Sequence, residues 1–315
     1  MAEHKIRLAA VVGPTASGKT TLAVEICKAL GGEVVSCDSM QIYKGMDIAT
    51  AKPAAKEMQG VAHHLIDFAP VDEIYSVAAY CKAAKKVIED IDSRGKLPVL
   101  AGGTGLYYNS LVDNIEFITE DTDFEYRLAL KERAEKEGIN ILYDELKAID
   151  PQAAEKIHTN NAGRIIRALE IYHTTGKTKT RQEELSRLNP SPYELIAIGL
   201  DAEDRNFLYD RINRRVDAML ELGLLDEAKK FFELHPSGTA AQAIGYKELH
   251  PYFEGTASLE ECIENLKAQT RHYAKRQLTW FRRDKRIKFL YIDRYDSPEG
   301  LLKDALDIIT KGVTV

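Results

Sequence analysis

A short apolar run, Ile6 to Val12, leads directly into Gly13-Pro-Thr-Ala-Ser-Gly18-Lys19-Thr20, and a helical period follows through Leu22, Ile26 and Leu30. Strand, glycine-rich loop and helix with the G-x-x-x-x-G-K-[ST] spacing form a phosphate-binding loop. The glycines let the backbone close around an anion, and successive amides point inward at a positive helix end. Lys19 adds a mobile cation, and the Thr20 hydroxyl can ligate Mg²⁺. Gly13, Thr15, Ala16, Ser17, Gly18, Lys19 and Thr20 are therefore the candidate diphosphate cradle, with Thr20 the candidate metal ligand. A chance match in a glycine turn would lack the flanking strand and helix. The pattern calls for a polyphosphate with its metal. It leaves open which polyphosphate, and whether phosphate itself is transferred.

The same alternation continues. Apolar runs at 33–37 and 97–101 read as strands, and 76–92 carries Val77, Tyr80, Ala84, Val87 and Ile91 at helical spacing. Alternating elements of this kind predict an α/β fold with a parallel sheet and right-handed crossovers, a P-loop NTPase-like core of the nucleotide-binding (ATP-binding) class. Ligands in such sheets sit beyond the carboxyl ends of the strands. The P-loop, Asp38 and Thr104 all follow strand ends and are expected to share one cleft. From 119 to 192 strand signals give way to short, charged helical patterns, with Asp150-Pro151 as a helix start and Gly176 as a C-cap. Residues 1–118 and 193–315 are thus expected to form the core, and 119–192 a helical insertion domain. Strands return at 195–200 and 289–292, and helices at 206–222 and 259–283. In the last of these, Ile263, Leu266, Thr270, Tyr273, Gln277 and Trp280 trace one stripe.

There is no apolar run of about 18 residues, so no membrane partner is expected. The chain enters its first strand too early for a signal peptide. Its four cysteines are scattered without a C-x-x-C pair, which points to reduced thiols in a cytoplasmic protein and away from structural zinc. His63-His64 lacks ligand spacing and reads as loop or core. The formal charge is −6, yet between Lys267 and Lys288 nine Lys/Arg stand against a single acid, Asp284. Lys267, Arg271 and Lys275 recur one turn apart on a helix flank, a directed basic patch on an acidic protein.

The second strand ends in Asp38-Ser39-Met40-Gln41. A carboxylate here, facing a polyphosphate, is either an outer-sphere magnesium ligand or a general base; the plain alternative is a turn or N-cap Asp. Several further pieces follow in order: Asp38 to Pro53, Gly102-Gly-Thr-Gly-Leu-Tyr107, Asn161 with Arg164 and Arg167-Ala-Leu-Glu170, Gly245-Tyr, and Lys275-Arg-Gln-Leu-Thr-Trp280. With the P-loop, this ordered set resembles the bacterial tRNA dimethylallyltransferase (tRNA isopentenyltransferase) family over nearly the whole chain.

The resemblance implies a prenyltransferase. It would move the dimethylallyl group of dimethylallyl diphosphate to N6 of adenosine 37 in tRNA and release pyrophosphate, with Mg²⁺ as cofactor. It implies Asp38 as general base, Thr104 as a diphosphate contact near the reacting carbon, and Arg215 as a further diphosphate ligand, the three catalytic candidates. It implies tRNA contacts at Asp38, Ser39, Met40, Gln41, Thr104, Arg127, Gly163, Arg164, Arg167, Gln242, Gly245 and Lys247. The basic segment adds Arg271 and Lys275. The insertion would grip the anticodon stem-loop of tRNA, and the protein is expected to act as a monomer. Eukaryotic members often carry a C-terminal zinc-finger segment; with no paired Cys/His near its end, this chain looks like the bacterial form. Three rivals remain: a P-loop kinase of a small metabolite, a prenyltransferase acting on free AMP or ATP, and an RNA-binding P-loop module without turnover.

Overall fold

A computed structural model describes residues 5–117, 123–186, 188–236 and 238–311. In chain order β1 (Ile6–Val12), α1 (Lys19–Leu30), β2 (Gly32–Ser36), α2 (Ala55–Met58), β3 (His63–His64), α3 (Val77–Ser93), β4 (Leu97–Gly102) and α4 (Gly105–Val112) come first. Five helices follow, α5 (Phe124–Glu137), α6 (Ile139–Ile149), α7 (Pro151–Lys156), α8 (Ala162–Thr175) and α9 (Lys179–Ser186). Then come β5 (Tyr193–Asp201), α10 (Arg205–Glu221), α11 (Leu224–Glu233), α12 (His250–Phe253), α13 (Leu259–Phe281), β6 (Ile287–Tyr291) and α14 (Pro298–Lys311). Two compact units result, Met1–Val112 with Pro192–Val315, and Asp113–Ser191. The boundary expected at 118/119 falls outside the described residues.

The first unit is the expected α/β core. Its six strands are all parallel, in the order β3-β2-β4-β1-β5-β6. Helices cover a parallel sheet on both faces, which is why β1 is apolar almost end to end and Leu8 to Val12 are all buried. Leu22 and Ile26 of α1 and Ala305 and Ile309 of α14 pack with Val11, Val34, Val99 and Ile198. Because β2, β4 and β1 are neighbours, the P-loop, Asp38 and the Gly102–Thr104 turn leave the sheet side by side at its carboxyl edge.

Local chemistry explains most elements. Ser76 caps α3 by accepting from the Ala79 amide, and Ser258 with Glu261 forms a capping box on α13. In the second unit Asp150 caps α7 ahead of Pro151, and Gly176 ends α8 in a left-handed turn (φ 66°). Leu142, Leu146, Ile165 and Leu169 are among its buried core. Three features differ from expectation. His63–His64 is a two-residue strand beside β2, too short to show alternation, with His64 Nε2 2.7 Å from the buried Glu33 carboxylate. Helices α4, α11 and α14 lie outside the stretches with a clear helical pattern. The stripe of α13 is not simply apolar: it carries Thr270, Tyr273 and Gln277 to a cavity wall. The four cysteines are free and buried. Among the described residues no helix is long and apolar enough to cross a membrane, and no cluster of three His, Cys, Asp or Glu could hold a metal.

Candidate functional site

A cavity of about 920 Å³ opens in the first unit beyond the strand ends. Thr15, Ala16, Gly18, Lys19 and Thr20 line it, together with Asp38, Met40, Gln41, Arg215, Gln242, Gly245 and Lys247. Gly13, Ser17, Ser39, Thr104, Arg271 and Lys275 are not part of its wall. The P-loop is held from within. The Ser17 hydroxyl donates to the Pro14 carbonyl at 2.8 Å, and Lys19 Nζ donates to the same oxygen at 2.5 Å. Ala16 and Gly18 take left-handed backbone (φ 63° and 89°), which turns the loop into a concave rim.

Seven Lys/Arg line this cavity against three carboxylates, an excess of positive charge on an acidic protein. Burial, then the neighbouring Arg215, pull the Lys19 ammonium down to about 7, while Asp38 pulls the other way. Burial also depresses Arg215, opposed by Asp38 and Glu57, but a guanidinium stays charged. Arg211, absent from the expected site, donates from Nε to the Ala16 carbonyl at 2.8 Å, so it locks the loop while standing in the cavity wall.

Asp38 is half-buried and accepts the Met40 amide on Oδ1 at 2.9 Å, an Asx turn that aims the carboxylate. It lines the same cavity as the P-loop and Arg215, whereas Thr104, expected in the same cleft, does not. Thr104 stands behind this turn: its Oγ1 accepts the Ser39 amide at 3.0 Å and touches Ser39 Oγ at 3.3 Å. Tyr273 of α13 lines the cavity, and burial raises its phenol well above its ordinary range.

Gln277 falls on the stripe that helical spacing aligns with apolar neighbours, yet it clamps the site. Its Oε1 accepts the Thr15 amide at 2.9 Å and its Nε2 donates to the Gly103 carbonyl at 2.9 Å. A Cβ on Gly103 would stand 2.2 Å from that nitrogen, so the Gly102-Gly103 pair and the Lys275–Trp280 motif explain each other. No local sequence signal marks such a residue; only the ordered motifs hint at it.

The remaining expected contacts lie elsewhere. In the second unit Gly163, Arg164 and Arg167 are exposed. Arg127 Nη2 donates to Glu170 Oε2 at 2.6 Å, and Arg167 reaches the same oxygen at 3.0 Å. Glu170 is fully buried, so these arginines hold the fold of that unit as well as any surface. On α13 the expected basic flank is partly spent: Lys267 pairs with Asp217 at 2.9 Å and Arg271 donates to Asn213 at 2.7 Å, while Lys275 is exposed.

The model of a family described as IPP transferase matches residues 41–284. A tRNA dimethylallyltransferase of Acetivibrio thermocellus is 50% identical over 296 residues, covering 93% of this chain and 94% of that protein. One from Halalkalibacterium halodurans is 48% identical over 300 residues, covering 95% of each. Among solved structures, the full-length tRNA isopentenylpyrophosphate transferase of Bacillus halodurans superposes with a TM-score of 0.73 at 44% identity, covering 98% of both chains. A eukaryotic dimethylallyltransferase acting on tRNA gives a TM-score of 0.80 at 29% identity, covering 97% of this chain and 80% of that one.

Proposed function

We propose a function from one premise: the chain belongs to the IPP transferase family. It is a tRNA dimethylallyltransferase, transferring the dimethylallyl group of dimethylallyl diphosphate to N6 of adenosine 37 in tRNA and releasing pyrophosphate. The observation that carries this reading is the single cavity in which Lys19, Arg215 and the P-loop face Asp38. The cations take the diphosphate, and the carboxylate faces the acceptor.

The exocyclic amine of adenine is a weak nucleophile because its lone pair is delocalised into the ring. As N6 bonds to C1 of the dimethylallyl group, the C1–O bond breaks and pyrophosphate departs with that electron pair. The proton displaced from N6 passes to an oxygen of Asp38. Lys19, Arg215 and the loop amides neutralise charge as it builds on the leaving group. The cavity wall offers hydroxyls and carboxylates but no thiol or imidazole, so its residues fit a hard cation such as Mg²⁺, which Thr20 would help to hold. Such an ion supplies further charge neutralisation on the diphosphate. Reaching N6 requires the base to leave its stack and enter the cavity, at a cost of roughly a few kcal/mol. Helices α5–α9 then grip the anticodon stem-loop through residues such as Arg127, Gly163, Arg164 and Arg167. The enzyme works as a cytoplasmic monomer.

The test is incubation with labelled dimethylallyl diphosphate, Mg²⁺ and tRNA, AMP or no acceptor. Label in tRNA is the expected result. Label in AMP, or ATP hydrolysis without label transfer, would sink the reading.

Two further outcomes are expected. With Lys19 at about 7 in the free site, a bound diphosphate favours the charged ammonium and raises its pKa. Affinity should therefore be full below about pH 7 and fall as pH rises, approaching tenfold per unit, until the bound-state pKa is reached. Calorimetry in buffers of different ionisation enthalpy should show proton uptake on binding; pH-independent affinity between about 7 and 9 would contradict it. Second, Arg271→Glu with Lys275→Glu should weaken tRNA binding and flatten its salt dependence, by a slope of about 0.7–0.9 for each phosphate no longer neutralised. Because Arg271 also bonds Asn213, Lys275→Glu alone should show the salt effect without a loss of melting temperature. Filter binding at several salt concentrations checks both.

A further inference from the structure

The segment from Asp47 to Ala54 forms the cavity wall next to Gln242, Ile244 and Gly245. It has little regular structure, so something must hold it. Glu227, in the first turn of α11, accepts three consecutive backbone amides with one carboxylate. Asp47 and Ile48 donate to Oε2 at 2.9 and 2.7 Å, and Ala49 donates to Oε1 at 2.9 Å. The Tyr246 hydroxyl adds a fourth donor on Oε1 at 2.8 Å. Burial and this carboxylate push the Tyr246 phenol far above its ordinary range, so it remains a donor. Gly245 is part of the same joint: its backbone is left-handed (φ 113°), and a Cβ there would stand 2.8 Å from Ala49 Cβ.

With its amides turned to Glu227, the segment presents carbonyls to Gln41. Gln41 Nε2 donates to the Thr50 and Ala51 carbonyls at 3.2 and 3.1 Å. Carbonyls only accept, so the Gln41 nitrogen is committed to the loop and Oε1 is left over as an acceptor on a side chain that lines the same cavity as Asp38. An acceptor in that place suits a base that carries an exocyclic amine.

We propose that Glu227 is a positioning residue for the acceptor base: it anchors the Asp47–Ala51 loop, and through that loop it fixes Gln41 with its oxygen toward the cavity. This rests on the tRNA-prenylating reading of the site. Glu227 is not part of the cavity wall. Its loss should therefore affect the acceptor and spare the diphosphate, whose cradle is built by the P-loop and Arg215.

The experiment compares label transfer to tRNA by wild type and Glu227→Gln, beside calorimetric titration of dimethylallyl diphosphate without tRNA. Glutamine offers one carbonyl oxygen and points an NH₂ at donors. The KM for tRNA should rise about ten- to hundredfold, as one or two charge-assisted hydrogen bonds disappear, with a smaller fall in kcat. The Kd for the diphosphate should stay within about twofold, and Glu227→Asp should recover part of the loss. Tyr246→Phe removes a single donor and should raise the tRNA KM about two- to fivefold, which decides the matter if Glu227→Gln does not fold. An unchanged tRNA KM in the folded variants, or a diphosphate Kd rising in step with it, would overturn the assignment. Wild type run alongside separates two failures: absence of label in tRNA from wild type sinks the function, whereas normal wild-type transfer with unaltered variants sinks only the role of Glu227.

Discussion

Asp38→Asn is expected to lower kcat about 10²–10⁴-fold, the usual cost of removing a general base, with the Kd for tRNA within about threefold of wild type. The substitution is well matched to the geometry. Asp38 Oδ1 accepts the Met40 amide at 2.9 Å, and an asparagine oxygen can keep that turn. What changes is the second oxygen, replaced by an NH₂ that cannot take the proton leaving N6. Single-turnover label transfer at saturating tRNA reads the chemical step directly. A rate within about threefold of wild type, far short of the general-base range, would remove Asp38 from this role and return it to the turn it also makes.

How much of this site is legible from sequence depends on how local each piece is. The P-loop is local: strand, loop and helix are contiguous, so spacing alone identifies Lys19 and Thr20. Asp38 is legible as a strand-end carboxylate, though not as base rather than turn former. Arg215 is different. On α10 it reads as one more helical cation beside Arg211, and the family resemblance, not the pattern, singles it out. Arg211 escapes notice because its role depends on the Ala16 carbonyl, 195 residues away along the chain. Gln277 and Glu227 are hidden for the same reason. Each satisfies backbone groups of a distant loop, and neither helix periodicity nor charge counting encodes that. Thr104 shows the opposite case. Strand-end logic brings it next to Asp38, yet its hydroxyl is directed at Ser39. The basic run on α13 is visible as composition, but which of its cations are spent on Asp217 and Asn213 follows only from how α10 packs against it.

The second large effect expected concerns the leaving group. Lys19→Ala and Arg215→Ala should each lower kcat about 10²–10³-fold, the range for loss of a single group that stabilises developing charge. The loss falls on kcat more than on binding, because the charge these cations meet grows as C1–O breaks. Arg215→Lys should lie in between: it keeps the charge and loses the fork that grips two oxygens. Lys19→Ala also removes the bond to the Pro14 carbonyl, so a melting curve must accompany the kinetics. The two residues are coupled in a way that gives an independent check. Arg215 is one of the causes that hold the Lys19 ammonium near 7, and Asp38 works against it. Removing Arg215 should therefore raise the pKa of Lys19 in the free site, moving the pH at which diphosphate affinity begins to fall to higher values. Removing the charge of Asp38 should move it lower. If Arg215→Ala left that midpoint in place while still slowing transfer, the two cations would not share one diphosphate, and the leaving group would have to be sought against the P-loop alone.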